Sequence, residues 1–520
     1  MVNMSENRKS RPLRLFIVAL FITISLLSMA FAVYLMLTAA NGIVFALAVA
    51  YGILSLISLV FNAVTSYSYY KSYFYDEYLE KLTQGLRPIK RYPTVAVLIP
   101  TYSETPEFIE KNLKSLKEID YDPKRIAFYL ADDSQDEAMI SGKRALCEKY
   151  GVNYIHRDSR KDFKVGALNN ALQHSKEEFV AIFDADERLV NPNFVKDLLP
   201  YFQDERVAFV QTEKRFEKAS LFSDSVDLFD TLFFRFIQPA RALNGTAIFA
   251  GSCGLIRRSA IDSIGGFPAY VTEDTFFSFE SDMHNFKSVY VPRAYALGKP
   301  LTFSELCSQQ WRYNYGDTQF LFYFLRRIRS DKSHRATLFS KVDYLAHGFG
   351  LNYLSAILVL FTVVSLLTVF SAAPFAYSST SQFINASSTA INLEILGAAS
   401  FLLSLIVPIA LTKAYFDSYL EGLMLFFLNF ALSFTRLRGA ISAMFASSSL
   451  KGWFKGSIVR DRSSRILVSV RNSSAELAFS AILFLGSAVA MLLSNISGAL
   501  WMLWYSILYT STFFFFLRYG

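Results

Sequence analysis

Cysteine and charge are both scarce in this chain, and each shortage excludes a class of protein. The three cysteines, Cys147, Cys253 and Cys307, have no metal-ligand spacing and imply no disulfide framework. All three lie in the central part of the chain, which is consistent with a reducing cytoplasm. Charged residues form only 18% of the sequence, whereas hydrophobic residues form 52%. A chain this apolar is not an ordinary soluble enzyme, and its composition indicates a membrane protein.

Charged residues are absent from long stretches, which are 15–40, 42–70, 344–393, 395–412 and 477–517. A helix needs about 20 apolar residues to cross a bilayer. We therefore predict six membrane-spanning helices, at 15–38, 43–66, 350–372, 395–412, 477–494 and 499–517. The first could be a signal peptide, but its apolar run is too long and a second span follows almost at once, so an anchor is favoured.

Basic residues beside these spans predict the orientation of the chain. The segment 436–471 is rich in arginine and lysine, so the positive-inside rule places it in the cytoplasm as a gating-like loop. The short uncharged run 422–435 is then an interfacial or re-entrant helix, with a seventh span as the alternative. A second interfacial helix is predicted at 318–332. Since much of the net charge of +8 lies beside spans, it does not indicate a nucleic-acid partner.

Three regions follow from this topology. They are an N-terminal membrane region at 1–70, a cytoplasmic domain at 71–317 and a C-terminal membrane region at 318–520. Because the chain ends directly after its last predicted span, we expect no C-terminal regulatory domain.

The central region alternates short apolar runs with helical patterns. The apolar runs 95–100, 126–131, 152–155 and 179–183 each predict a buried strand. Strands that alternate with helices indicate a doubly wound α/β sheet. In such sheets, ligands bind beyond the carboxyl ends of the strands.

Two acidic clusters directly follow predicted strands, which places them at the ligand edge. Asp184 and Asp186 are hard oxygen donors that suit Mg²⁺ or Mn²⁺, which would hold a nucleotide diphosphate. The alternative is a solvated loop. Asp132 and Asp133 suit nucleotide contact, or they could cap the helix that starts near Asp136.

Two further clusters complete the set. In Thr272-Glu273-Asp274, Asp274 is a candidate general base, and the alternative is a helix N-terminus with Thr272 as its cap. In the cluster Gln309–Tyr313, Arg312 suits a diphosphate and the aromatic rings suit a sugar face. The alternative for this cluster is a plain interfacial helix.

The order of these clusters resembles the processive, membrane-embedded family 2 glycosyltransferases, such as cellulose, hyaluronan and poly-N-acetylglucosamine synthases. The resemblance covers roughly residues 90–330 by motif and the flanking spans by architecture. It implies a cytoplasmic GT-A domain and inverting transfer from a UDP-sugar donor, UDP-glucose or UDP-N-acetylglucosamine. It also implies a β-linked polysaccharide as growing acceptor, secreted through the chain's own helices across the plasma membrane.

The resemblance assigns roles residue by residue. It gives the nucleotide sugar to Thr101, Glu104, Asp132, Asp133, Lys164 and Asp184. It gives the metal to Asp184 and Asp186, and catalysis to Asp274 beside Glu273. It gives the acceptor side to Gly251, Ser252, Cys253, Gln309, Gln310, Arg312 and Tyr313.

Two positions depart from the family pattern. Tyr313 stands where the family's acceptor motif ends in Trp, although a Tyr ring can still stack on a sugar. Lys455 lies in a segment that only weakly resembles the family's gating loop, and a lipid-headgroup contact is the alternative.

Two other functions remain open from the sequence. One is single-sugar transfer to a polyprenyl-phosphate or other lipid acceptor. Enzymes of that kind usually lack the Gln-x-x-Arg pattern that Gln309–Arg312 shows here. The other is a transporter or receptor with a degenerate nucleotide-binding module, against which the retained carboxylates argue.

Overall fold

The computed structural model describes residues 11–37, 42–89, 91–330, 338–349, 418–446, 462–492 and 496–520, with a few residues between 355 and 413. The predicted spans at 350–372 and 395–412 lie largely outside the described residues, and Lys455 lies wholly outside them.

Two long apolar helices, α1 (Arg11–Leu37) and α2 (Gly42–Ser72), cover the first two predicted spans. Polar side chains join them: Ser28 Oγ lies 2.7 Å from the Tyr51 hydroxyl, and Asn62 donates to Ser25 Oγ at 2.7 Å. Earlier residues of α1 contact later residues of α2, so the two helices form an antiparallel pair. Helix α3 (Tyr75–Gln84) then leads into the sheet.

The central domain is built on one eight-stranded sheet with the order β3-β2-β1-β4-β7-β6-β8-β5. Its strands are β1 (Val95–Thr101), β2 (Ile126–Asp132), β3 (Asn153–His156), β4 (Phe179–Ile182), β5 (Arg188–Leu189), β6 (Val207–Phe216), β7 (Gly254–Arg257) and β8 (Lys287–Gly298). The four predicted strands are confirmed as β1 to β4, which are parallel. The sheet is mixed because β7 runs antiparallel to β4 and β6.

Helices cover both faces of this sheet. They are α4 (Pro106–Leu116), α5 (Glu137–Tyr150), α6 (Phe163–His174), α7 (Phe194–Leu198), α8 (Leu221–Leu232), α9 (Gln238–Ala242), α10 (Arg258–Ile264) and α11 (Glu273–Met283). Side chains alternate along a strand, so Val97 and Ile99 enter one core while Ala96 and Leu98 enter the other. This double burial explains why β1 is continuously apolar. Strand β1 lies between β2 and β4, which brings the carboxyl ends of all three together.

In the described part of the chain, six helices follow the sheet. They are α12 (Phe303–Ser330), α13 (Leu338–Phe349), α14 (Leu420–Met444), α15 (Arg462–Asn472), α16 (Ser474–Leu492) and α17 (Ile496–Tyr519). Among the described residues, four helical stretches are long and apolar enough to cross a membrane, at 45–72, 420–444, 474–492 and 498–519.

Two predicted helices are longer than the sequence indicated. The predicted interfacial helix at 318–332 is the second half of α12, which is continuous across the predicted domain boundary at 317. The predicted short helix at 422–435 is wrong in length, since α14 extends to Met444 and takes in the start of the predicted loop 436–471. The reason is that Arg436 is fully buried and hydrogen-bonded, so its charge does not end the helix.

Candidate active site

Asp132 ends β2 at the centre of a buried polar network. Its Oδ1 accepts from Lys143 Nζ at 2.8 Å and from Thr101 Oγ1 at 3.1 Å, and its Oδ2 accepts from the Tyr154 hydroxyl at 2.8 Å. Burial raises the pKa of Asp132, but Lys143, Ser134 and Tyr154 outweigh it and hold that pKa below its usual range. Asp132 is therefore an ionised anchor that fixes the ends of β1, β2 and β3.

Asp133 faces a different partner. Arg157 donates two hydrogen bonds to its carboxylate, from Nε to Oδ1 at 2.8 Å and from Nη2 to Oδ2 at 2.6 Å. The helix-cap alternative does not hold for these two carboxylates, because Asp136 itself caps α5 by accepting from Met139 N at 3.0 Å. Glu104, on the loop after β1, accepts from Tyr102 N at 2.7 Å. These groups lie together at the nucleotide end predicted from the sequence.

Lys143→Met should destabilise the protein by about 3–5 kcal/mol, because it would leave the Asp132 charge buried without a counterion. Both side chains of this pair are inaccessible to solvent. Lys149→Met on the same helix is the matched control, since Lys149 is exposed and solvent screens its pair with Glu110, so its loss should leave the stability nearly unchanged. Unfolding midpoints of the two variants in one detergent provide the comparison. Equal midpoints would contradict the anchoring role of Lys143.

Asp184 follows β4 and is held by two lysines. Lys164 Nζ lies 2.6 Å from its Oδ1, and Lys214 Nζ lies 3.6 Å from its Oδ2. Lys164 also donates to the Gly251 carbonyl at 3.1 Å and lies 4.0 Å from Glu273 Oε1. One ammonium group thus joins Asp184, Gly251 and Glu273, which belong to the predicted metal motif, acceptor loop and catalytic triplet.

The carboxylate of Asp186 is suited to bind a divalent cation. Among the described residues, no hydrogen bond or ion pair reaches its carboxylate. Burial, together with the charges of Asp184 and Glu187, raises the pKa of Asp186 to about 7. A hard cation would relieve this repulsion, and carboxylate oxygens are its preferred ligands. Within the same described part of the chain, no third His, Cys, Asp or Glu completes a metal cluster.

The loop before β7 carries the backbone close to the catalytic triplet. Gly251 has a φ of +79°, and a Cβ there would lie 3.2 Å from Asp274 Oδ2. Ser252 Oγ donates to Glu187 Oε1 at 2.6 Å. Cys253 also has a positive φ, of 53°, and its backbone N–H donates to the Ile182 carbonyl at 2.9 Å. This tight turn presents the Gly251 backbone to the site, while the Ser252 and Cys253 side chains are buried.

Glu273 and Asp274 open α11 beside this loop. Thr272 makes no side-chain cap bond, and its buried Oγ1 has no hydrogen-bond partner among the described residues, so the cap alternative is not supported. Burial, with a smaller contribution from the charge of Asp274, raises the pKa of Glu273 to about 7. Burial also raises the pKa of Asp274, although the Thr275 N–H that its Oδ1 accepts at 2.8 Å partly offsets this. A carboxylate with a raised pKa is suited to accept a proton.

The Gln309–Tyr313 cluster divides between two faces of α12. Gln310 is buried, and its Oε1 accepts from Arg436 Nε of α14 at 2.8 Å. Confinement among protein atoms raises the pKa of the Tyr313 phenol, and the charges of Asp230 and Asp274 raise it further. The Tyr313 side chain is nevertheless 40% exposed, so its ring is accessible from solvent. Gln309 and Arg312 are half-buried.

Several partners in this site were not predicted from the sequence. Lys143, Tyr154 and Arg157 hold the two aspartates after β2, and Lys214 assists Lys164. Lys143 lies in the second turn of α5, and its spacing from Asp132 gives no distinctive motif. Lys214 is followed by Arg215, and two adjacent basic residues are typical of an exposed strand edge. The sequence therefore did not indicate that Lys214 belongs to the site.

Known proteins are similar in sequence to parts of this chain. The family profile described as "Glycosyl transferase family group 2" matches residues 179–412. The cellulose synthase catalytic subunit [UDP-forming] of Pseudomonas fluorescens is 28% identical over 40% of this chain and 29% of its own length. Glucomannan 4-beta-mannosyltransferase 1 of Oryza sativa subsp. japonica is 27% identical over 53% of this chain and 55% of its own length. The chain therefore spans about half or less of these relatives.

A solved structure was also matched, the mannosyltransferase PcManGT from Pyrobaculum calidifontis in complex with GDP-Man and Mn²⁺. It covers 70% of this chain and 99% of its own, at 20% identity and a TM-score of 0.45. The profile and the sequence relatives indicate the class: residues 179–412 match a family 2 glycosyltransferase domain, and the central domain is built on a mixed α/β sheet. More particularly, it is related to the cellulose synthases and the glucomannan mannosyltransferases.

Proposed function

We propose that this protein is an inverting glycosyltransferase that extends a β-linked polysaccharide from a nucleotide sugar. The observation that carries the proposal is the position of Lys164. Its ammonium group contacts Asp184 at 2.6 Å and the Gly251 carbonyl at 3.1 Å, with Glu273 at 4.0 Å. The residues expected to hold the donor, the acceptor and the base therefore converge on one point.

The reaction needs one base and one stabilised leaving group. The acceptor hydroxyl oxygen attacks the anomeric carbon, the bond from that carbon to the diphosphate oxygen breaks, and the nucleoside diphosphate leaves with the electron pair. Asp274 takes the proton of the attacking hydroxyl. Lys164 and Lys214 place positive charge where the diphosphate charge develops. Bound by Asp184 and Asp186, Mg²⁺ or Mn²⁺ would neutralise charge on the leaving diphosphate.

In this proposal, the acceptor sugar binds on the side of the site where Tyr313 lies. Its exposed ring can stack on a terminal sugar while Asp274 faces the hydroxyl that reacts. Helices α2, α14, α16 and α17 contain stretches that are long and apolar enough to cross a bilayer. We propose that they form part of an exit path, with the sheet domain cytoplasmic and the chain in the plasma membrane.

A donor screen tests this proposal. Purified protein with Mn²⁺ should release nucleoside diphosphate from one of UDP-glucose, UDP-N-acetylglucosamine or GDP-mannose. UDP-glucose and UDP-N-acetylglucosamine are the donors expected from the sequence, and the mannose donor is included because mannosyltransferases are among the relatives. A polymer, either soluble or insoluble in water, should form as the nucleoside diphosphate is released. No turnover with any of the three, or product extractable only into organic solvent, would overturn the proposal.

A further inference from the structure

Arg436 lies in α14, in a stretch apolar enough to cross a membrane, and its side chain is 0% exposed. Nε donates to Gln310 Oε1 at 2.8 Å, and Nη1 donates to Asn429 Oδ1 at 3.0 Å. Its guanidinium also lies 5.5 Å from the Phe229 ring centre. Within the described part of the chain, no carboxylate pairs with it. A buried charge held only by neutral groups is costly, so a specific role has to offset that cost.

A second contact lies one turn further along α14. A Cβ at Gly439 would lie 2.6 Å from the Trp311 carbonyl oxygen and 3.3 Å from Tyr315 N. The backbones of α12 and α14 therefore touch at this point, and any larger residue would push them apart. Arg436 and Gly439 together fix α12 against α14 in both rotation and distance.

The contacts divide α12 by helical geometry. Residues 310, 311, 314 and 315 share the face that meets α14, whereas Arg312 and Tyr313 project from the other side. Gln310 and Tyr315 are buried, whereas the Tyr313 side chain is 40% exposed. A rotation of α12 would therefore move Tyr313 relative to Asp274, whose charge it senses.

The same helix touches the catalytic triplet. Gly316 follows this segment of α12 and packs directly on the Thr272 side chain, which leaves no space for a Cβ. Thr272 immediately precedes Glu273 and Asp274. A shift of α12 would thus be transmitted to the general base as well as to the acceptor platform.

We propose that Arg436 is a positioning residue that clamps α12 through Gln310, so that Tyr313 and Asp274 are held in register for transfer. The proposal rests on the proposed function, and it reassigns the Gln310 side chain from substrate contact to helix positioning. A misplacement of about 1 Å can cost about 100-fold in rate. The clamp therefore acts on the chemical step, while the nucleotide end around Asp132 is untouched.

Variants of both partners test the clamp. Arg436→Met and Gln310→Leu should lower kcat by about 10- to 100-fold, with the Kd of UDP or GDP measured by calorimetry unchanged. Gln310→Glu should recover most of the kcat that Gln310→Leu loses, because a carboxylate accepts the same hydrogen bond from Arg436. Arg518→Met, an exposed arginine at the end of α17, is the matched control and should behave as wild type.

The outcomes separate the clamp from the proposed function. Loss of kcat in Gln310→Glu as large as in Gln310→Leu would show that Gln310 contacts substrate and would overturn the clamp. Unchanged kcat in Arg436→Met would overturn it too. If Arg436→Met does not fold, the two Gln310 variants decide. If wild type turns over no donor, hydrogen exchange still decides: Gln310→Leu should expose the amides of 309–316 and 272–275, and unchanged protection there would overturn the clamp.

Discussion

Asp274→Asn should reduce glycosyl transfer by about 10²- to 10⁴-fold, the contribution expected of a general base. The amide cannot accept the proton of the attacking hydroxyl, yet it has nearly the same size. It can still accept from Thr275 N, so α11 should keep its first turn. Initial rates of nucleoside diphosphate release at saturating donor, together with nucleotide Kd, measure the effect.

The control for this variant lies on the neighbouring helix. Asp262→Asn in α10 removes an exposed carboxylate, paired only with Arg258 at 2.9 Å, and should leave the rate unchanged. If Asp274→Asn kept its rate, the base assignment would be wrong. A weakened nucleotide Kd in that variant would instead place Asp274 at the donor.

Asp186→Asn should lose transfer by about 100-fold or more, because the leaving diphosphate would no longer be neutralised by a correctly held cation. The same change should not weaken the fold, because it removes a carboxylate whose pKa is raised to about 7 by burial and by its acidic neighbours.

Wild-type protein should be stabilised by Mn²⁺ by about 2.7 kcal/mol at a concentration 100 times Kd. The variant should show little of that rise in Tm.

The Mn²⁺ titration of Tm is independent of turnover, so it tests the metal site directly. Asp122→Asn, a half-exposed loop carboxylate paired with Arg125 at 3.8 Å, is the control and should keep the full Mn²⁺ effect. Removal of metal with a chelator should abolish wild-type turnover, and Mn²⁺ or Mg²⁺ should restore it. An equal Mn²⁺ stabilisation of wild type and Asp186→Asn would rule out Asp186 as a ligand.

The parallel half of the fold was predictable because its strands are buried on both faces. A strand such as β1 must then be apolar at every position, and the acidic residues after β2 and β4 mark where each strand ends. The remaining strands, which include the antiparallel β7, were not predicted. Strand β7 is only four residues long, and β6 changes from apolar to charged after Thr212, which obscures its pattern.

The partners within the site were hidden for a different reason. Gln310 and Arg436 are 126 residues apart, and their contact depends on how α12 and α14 pack. From the sequence, Arg436 ends an apolar run, since an unpaired charge is costly in a membrane. In the structure, Gln310 and Asn429 accept its hydrogen bonds, so the helix continues. A sequence shows the cost of a charge but not the distant groups that offset it.

We propose further that the chain, like the processive synthases that its motifs resemble, builds a polymer on one acceptor without releasing it, and product length at low conversion tests this most directly. Purified protein is incubated with the active donor until only a small fraction has been consumed, and the products are sized. The account predicts long chains from the earliest time points, with little short oligomer. A product population that consists of singly extended acceptors and lengthens only as donor is consumed would contradict it.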